Sequence, residues 1–207
     1  MRSQLFDYAL QPNLDYKRFP SQLDMTPATY RRDGKGAQIC FRIVPCSLGF
    51  LLIAATPKGL CSVTLGDAMA TLEATLRQEF PAGQIQPDHS DLQAWTELLL
   101  GFLAGQEPHL NLPLDVPATA FQWRVWQILC SIGYGETRSY SQVAEVMGQP
   151  QAVRAVARAC ATNPVALVVP CHRVMRRDGS LGGFRWGLER KQELLIQERE
   201  YASLLKV

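Results

Sequence analysis

From Ala37 onward, apolar positions recur first with the period of strands and then with the period of helices. Ile39, Phe41 and Ile43 alternate with Cys40 and Arg42, and two further apolar runs, Phe50 to Ala54 and Leu60 to Leu65, are set off by Gly and Pro. This pattern predicts three short strands in an antiparallel sheet. The longest mostly apolar run, Val44 to Ala55, carries Pro45, Ser47 and Gly49 and reads as core strand. It falls short of the roughly 20 residues a spanning helix needs. Met69, Leu72, Leu76 and Phe80 then repeat at helical spacing until Pro81, with Asp67 placed to cap the helix. Ser90 and Gln93 form a capping-box signature for a second helix, whose apolar face is Leu92, Trp95, Leu99 and Phe102. Residues 37–107 thus read as a small α/β unit.

A Pro-rich connection, 108–118, leads into a mostly helical unit, 119–207. Thr119 with Gln122 and Ser139 with Gln142 are two more capping boxes. Phe121, Val125, Ile128 and Leu129 give the first of these helices its core face, and Trp123 and Trp126 read as packing residues. The helix from Ser139 runs through Met147, Gly148 closes it, and Pro150 sits where a following helix tolerates proline. Two short helices around Gly148-Gln149 read as helix-turn-helix, an arrangement also common in proteins that bind no nucleic acid. On the second, Arg154 and Arg158 lie four apart, opposite Val153, Val156, Ala157 and Cys160. Residues 1–36 are polar, Pro-containing and weakly periodic, a leader of linker composition.

Composition sharpens this picture in two respects. With 47% hydrophobic and 19% charged residues the chain has the means to bury a core, which argues against disorder. The amino terminus lacks the uninterrupted apolar stretch of a secretory signal, so the expected compartment is cytoplasmic. The formal net charge of +2 conceals an asymmetry: residues 1–120 carry nine Lys/Arg against twelve Asp/Glu, whereas residues 121–207 carry twelve against seven. The excess of five lies between Arg124 and Arg185 and consists of arginine. A basic half fits a polyanion partner, and equally a solvated face with none.

Six cysteines, at 40, 46, 61, 130, 160 and 171, include no C-x-x-C pair. Neither a disulfide framework nor a zinc site is expected: Cys40, Cys46, Cys61 and His89 are irregularly spaced among apolar neighbours. Pro170-Cys171-His172-Arg173-Val174 is different. A thiol beside an imidazole fits nucleophilic catalysis, because the thiolate is the reactive form and needs a base. Adjacent residues do not face one another on a helix or strand, so a bridging water is required. A buried cysteine that merely precedes a histidine is the plainer reading of the pair taken alone.

From Phe121 to Glu198 the chain resembles the catalytic domain of the O6-alkylguanine-DNA alkyltransferases, the methylated-DNA–protein-cysteine methyltransferases. The resemblance rests on Pro170-Cys171-His172-Arg173-Val174, on Asn163-Pro164 before it, and on a helix-turn-helix containing Ser139-Tyr140 and Ala152-Val153-Arg154-Ala155-Val156. Residues 37–105 look like the smaller amino-terminal domain of that family by element order and Leu65-Gly66-Asp67. The implied fold is α/β: a ribonuclease H-like amino-terminal domain with an antiparallel sheet, plus a helical, winged-helix-like catalytic domain. The implied activity is direct-reversal DNA repair by one irreversible transfer of an alkyl group from guanine O6 to Cys171, with no cofactor and no metal. It leaves action on O4-methylthymine open. Cys171 is the implied nucleophile, His172 its base through a water, and Glu198 the group orienting the imidazole. Tyr140 is the implied donor toward guanine N3, and Asn163 the tie between the recognition helix and the cysteine loop. Double-stranded DNA bearing the lesion is the implied partner of a monomer, bound through Arg154, which fills the gap of the flipped base, with Ala155, Tyr140 and Arg158. Val174, Phe184, Arg185 and Trp186 are the implied base pocket.

In two places the chain departs from the pattern. Arg185-Trp186 stands where some relatives carry small residues, so Trp186 is expected to narrow the pocket. The leader, from Leu23 to Arg32, looks like the tail of an AraC-type helix-turn-helix, as found upstream of the alkyltransferase in adaptive-response (Ada-like) proteins. Two rivals share the fold's features: a non-enzymatic reader of alkylated DNA or regulator remnant, which needs no thiol, and a cysteine hydrolase, which needs an oxyanion hole. Single-turnover stoichiometry separates all three.

Overall fold

A computed structural model describes residues 33–88, 91–108 and 110–204. The AraC-like reading of the leader therefore falls almost wholly outside the described residues, as do Ser90 and His89. Strands β1 (Gln38–Cys46), β2 (Gly49–Thr56) and β3 (Gly59–Gly66) form the expected antiparallel meander. The apolar run from Val44 to Ala55 is thus a hairpin rather than one strand: Cys46 pairs with Gly49, whose φ of +100° suits glycine at the turn. Helix α1 (Met69–Glu79) then crosses back to β4 (Gln84–Pro87), which joins the free edge of β1 in parallel and gives the order β3-β2-β1-β4. The sheet is therefore mixed, with one parallel pair that hydrophobic periodicity did not announce.

Both faces of the sheet are covered, which explains why Leu51 to Ala55 are all buried. One face, with Ile39, Phe41, Leu52 and Ala54, packs on Leu72, Leu76 and Phe80 of α1. The other, with Leu51, Ile53, Val63 and Leu65, packs on Trp95, Leu99 and Phe102 of α2 (Gln93–Leu103) and continues without a break into the helical half. The Pro-rich connection takes part in this core. Leu112 and Val116 are buried, Leu60 bonds to Pro113 across a bridge to Leu114, and buried Asp115 accepts from the Thr56 hydroxyl at 2.5 Å.

The capping of α1 and α2 differs from expectation. Ala68, not Asp67, occupies the α1 N-cap, and Asp67 instead receives the guanidinium of Arg190. At α2 the carboxylate of Asp88 accepts from the backbone N–H of Asp91 (3.0 Å) and Leu92 (3.1 Å), a longer reach than a capping box. The other two boxes form as predicted: Thr119 with Gln122 opens α3 (Ala120–Cys130), and Ser139 with Gln142 opens α4 (Tyr140–Val146). Trp126 is fully buried, its indole N–H donating to the Ala159 carbonyl at 3.0 Å, with Trp123 edge-on at 5.6 Å. Gly148 closes α4 at φ +70°, and Pro150 starts a 3-10 turn through Ala152 before α5 (Val153–Ala161). A second 3-10 turn (Cys171–Arg173), a two-stranded pair of β5 (Arg138–Ser139) with β6 (Val174–Met175), and α6 (Leu188–Leu204) complete the chain. Strand β3 also reaches the helical half directly. Val63 donates its N–H to Pro164 and accepts from Ala166, both at 2.9 Å. Among the described residues no helix is long and apolar enough to cross a membrane.

Candidate active site

The irregular stretch after α5, buried at Asn163 and from Val165 to Val174, brings the chemistry together. Asn163, fully buried, uses every part of its amide. Its Oδ1 accepts the N–H of Val165 at 3.0 Å, while its Nδ2 donates to the Val169 carbonyl at 2.8 Å and to Cys171 Sγ at 3.3 Å. One side chain thus fixes the loop and supplies a donor that favours the thiolate. Leu167 lies between these contacts in the left-handed region, at φ +69° and only 2% exposed. Pro170 precedes the 3-10 turn, which places Cys171 and His172 on a tightly wound segment rather than on a regular helix or strand.

Helix α6 forms the opposite wall. Lys191 and Glu198 are seven residues apart, two helical turns, and so share the face that also buries Leu194 and Leu195. Glu198 Oε1 meets His172 Nε2 at 2.8 Å. Its carboxylate also accepts from Arg173 Nε (2.9 Å) and Nη2 (3.0 Å) and from the N–H of Gly135 (3.1 Å). Gly135 is at φ +77°, and a Cβ there would stand 2.8 Å from the Ala202 side chain, so only glycine admits this approach. Arg173 is anchored by the Ile132 carbonyl at 2.7 Å and lies over the Tyr134 ring. Burial pushes the Glu198 carboxyl up, but the hydrogen bonds and charges of His172 and Arg173 outweigh it and bring it down to about 2. An ionised carboxylate only accepts, so His172 Nε2 carries the ring proton. Nδ1 is left as a buried lone pair with no hydrogen-bond partner among the described residues. Burial lowers the histidine's pKa further than Glu198 raises it, so the ring is a neutral base. The edges of Phe102 and Phe184 flank it at 6.4 and 6.5 Å between centroids.

Burial also raises the Cys171 thiol; the Asn163 hydrogen bond and the charge of Lys191 oppose that rise. Lys191 is completely buried. Its ammonium donates to the carbonyls of Val174 (2.5 Å) and Leu181, and burial pulls its pKa down to about 8. Tyr140, first residue of α4, is half-buried. Burial, with smaller effects from Cys160 and Cys171, holds its hydroxyl up to about 12, so it stays a donor at neutral pH. Gly182, at φ +66°, leaves room for that hydroxyl: a Cβ there would lie 3.0 Å from it.

The remaining expected residues fall into two groups. Arg154, Ala155 and Arg158 are exposed together on the outer face of α5, whose inner face buries Val156, Ala159 and Cys160. Of the four pocket residues, Val174 is fully buried, and Phe184 and Trp186 pack edge-on at 5.0 Å with Trp186 only 7% exposed. Arg185 is engaged elsewhere: its guanidinium pairs with Glu79 at the end of α1 and lies over the Trp186 ring. Sequence reasoning did not single out Arg173 or Lys191. Both had a legible signal, a basic residue inside an apolar setting. Lys191 stands on the Leu194/Glu198 face of α6, and Arg173 follows the Cys-His pair directly. No group of three or more His, Cys, Asp or Glu among the described residues is arranged to hold a metal.

Residues 120–200 match the family profile of the 6-O-methylguanine DNA methyltransferase DNA-binding domain. Over 185 residues the chain is 43% identical to the bifunctional transcriptional activator/DNA repair enzyme Ada of Escherichia coli K12, covering 89% of this chain and 52% of that protein. The chain thus spans about half the length of the Ada-type relatives it matches. To the inducible methylated-DNA–protein-cysteine methyltransferase of Bacillus subtilis it is 39% identical over 158 residues, 75% of this chain and 87% of the other. The crystal structure of Mycobacterium tuberculosis O6-methylguanine methyltransferase superposes with a TM-score of 0.67 at 31% identity, covering 81% of this chain and 99% of that one. The structure of OGT from the same organism in complex with DNA gives 0.68 at 33% identity, over 78% and 94%. Most of the length of the Bacillus protein is matched at 39% identity, and the Mycobacterium tuberculosis structures superpose over about four fifths of this chain: the chain belongs to the methylated-DNA–protein-cysteine methyltransferase family.

Proposed function

We propose that this protein removes the alkyl group from O6-alkylguanine in double-stranded DNA by transferring it once, irreversibly, to Cys171. The observation that carries the reading is the polarised chain Glu198–His172, with Nδ1 free as a base, beside a thiol already hydrogen-bonded by Asn163. His172 Nδ1 takes the thiol proton through one water, and Glu198 stabilises the imidazolium that results. The thiolate attacks the alkyl carbon in line. A C–S bond forms, and the C–O6 bond breaks with its electron pair going to the purine. Tyr140 donates its hydroxyl toward N3 as that charge develops. The proton lost by the thiol returns to the guanine from the imidazolium through solvent, so atoms and charge balance with no co-reactant. The S-alkylcysteine has no leaving path, which makes the reaction stoichiometric.

A stacked guanine shows O6 only along the major-groove edge, out of reach of a thiol as buried as Cys171, so the base must rotate out, at a cost of a few kcal/mol. The outer face of α5 is the element that meets the minor groove, with Arg154 filling the gap and Ala155 allowing close approach. Contacts of this kind are sequence-tolerant, as repair of scattered lesions requires. Peptide mass spectrometry after incubation with O6-methylguanine duplex is the test. One methyl group on the Cys171 peptide, saturating at one equivalent, is expected. Turnover beyond one equivalent, or methylation of Cys130 or Cys160, overturns the mechanism. Burial holds Cys130 up to about 12 and raises Cys160, and neither has a donor comparable to Asn163.

A further inference from the structure

A cleft of about 510 Å³ opens beside the cysteine site, between the start of α4 and the turn that follows β6. Arg138, Arg176, Arg177 and Arg199 line it, with Glu145 the one acid among the lining residues. These four guanidiniums come from three separate stretches of chain, and among the described residues none makes an ion pair or a side-chain hydrogen bond. Asp178, the acid nearest Arg176 in sequence, is turned onto Ser180, accepting its N–H at 2.9 Å and its hydroxyl at 2.7 Å. Four cations against Glu145 and the nearby charge of Asp178, which Arg176 feels without pairing to it, leave the cleft with a positive excess for an anion to balance. Arginine, with its planar fork, matches phosphate oxygens in pairs.

We infer that this cleft holds the phosphodiester backbone of the DNA strand that carries the alkylated base. The inference rests on the repair reading above and adds a second anchoring surface to the α5 face. Continuity argues for DNA over a free anion. Ser139 and Ser141 line the cleft on either side of Tyr140 in the chain, and Met175 lines it four residues after Cys171. The cleft and the site are thus built on the same two short stretches of chain, which puts the cleft within a few nucleotides' reach of a base entering between Tyr140 and Cys171.

The test measures the Kd of unmodified duplex by fluorescence anisotropy against salt, for the unaltered protein, for an Arg177→Ala/Arg199→Ala double variant, and for Glu145→Gln. Each phosphate contact contributes about 0.9 to the slope of log K against log salt. At 0.1 M salt one contact is then worth up to about eightfold in Kd, and two up to about sixtyfold. The double variant is expected to lose about two from the slope and to bind several-fold to sixtyfold more weakly. Glu145→Gln is expected to bind more tightly, a gain that damage to the fold does not give. An unchanged slope in the double variant, weaker binding by Glu145→Gln, or no duplex binding by the unaltered protein overturns the inference. Methylation of Cys171 is scored separately: its absence with an altered slope sinks the repair reading alone, and its presence with an unchanged slope sinks the cleft alone.

Discussion

Lys191 is a buried cation with no carboxylate paired to it among the described residues, so its replacement by methionine tests whether the protein bears a stability cost for the site. Its ammonium is completely buried, and its pKa falls from an ordinary 10.5 to about 8. At about 1.4 kcal/mol for each pH unit, folding with this group charged costs about 3 kcal/mol. A lysine whose folded pKa is depressed binds more protons unfolded than folded between 8 and 10.5, so stability rises with pH across that window. Methionine keeps the volume and the apolar stem while removing the charge. It also leaves the carbonyls of Val174 and Leu181 without their donor, at about 1–3 kcal/mol each. The two effects oppose each other near pH 7, so Lys191→Met is expected to change stability little there. Urea unfolding of both proteins from pH 7 to 10.5 supplies the comparison. With both proteins carried on Cys171→Ala, which removes the thiol the ammonium acts on, the lysine protein should gain about 3 kcal/mol more than the methionine variant between pH 8 and 10.5. Parallel stability profiles refute the argument. With Cys171 in place, alkyl transfer at neutral pH should slow in Lys191→Met, by about tenfold for each pH unit by which the ammonium had lowered the thiol.

Glu198→Gln strands the Arg173 guanidinium in the interior and should destabilise the protein by about 3–5 kcal/mol in urea unfolding at pH 7. Because the Glu198 carboxyl is held down to about 2, its contribution is present above its ordinary 4.5 and is lost as pH falls from there toward 2; a variant as stable as the native protein at pH 7 rejects the pairing. Arg154→Ala should slow single-turnover repair of duplex far more than reaction with the free alkylated base; equal losses on both would show that Arg154 serves the chemistry or the fold. Trp186→Ala should raise the ratio of O6-benzyl to O6-methyl reaction by one to two decades while lowering stability by about 3–5 kcal/mol. A lowered melting temperature with an unchanged ratio would mean that Trp186 only packs.

What the sequence made legible was what it encodes locally. Asn163 and Cys171 are eight residues apart and the Cys-His pair is adjacent, so a short motif carries most of the surroundings of the Cys171 thiol. The two reciprocal capping boxes at Thr119 and Ser139 are complete within four residues, and both form. The Asp67 assignment failed because a lone acceptor near a helix start has rival uses: Asp67 is drawn to Arg190, 123 residues away, while at α2 it is Asp88 that bonds the backbone N–H groups of Asp91 and Leu92. Strand β4 gave no signal because it is mostly exposed, with only Ile85 packing inward. It exists because β1 has an open edge to pair with. Arg173 and Lys191 escaped notice for a related reason. Each is stabilised by acceptors that only the folded chain brings near, Glu198 25 residues from Arg173 and the Val174 carbonyl 17 residues from Lys191.

The pair of backbone hydrogen bonds joining Val63 to Pro164 and Ala166 makes the residues beside Asn163 an extra rib of the amino-terminal sheet. The core runs unbroken from Leu51 and Ile53 to Val125 and Leu129, so the helical half shares its interior with one face of the sheet, while the opposite face keeps its own core against α1. The sheet face that carries β3 is therefore expected to melt together with the helical half, with calorimetric and van't Hoff enthalpies in agreement. The sheet, which contributes no reacting group, sets how long the nucleophile's loop survives heat or denaturant. Loosening β3 raises the frequency of openings that unmake the Asn163 contacts, so on the proposed function selection reaches residues far from Cys171.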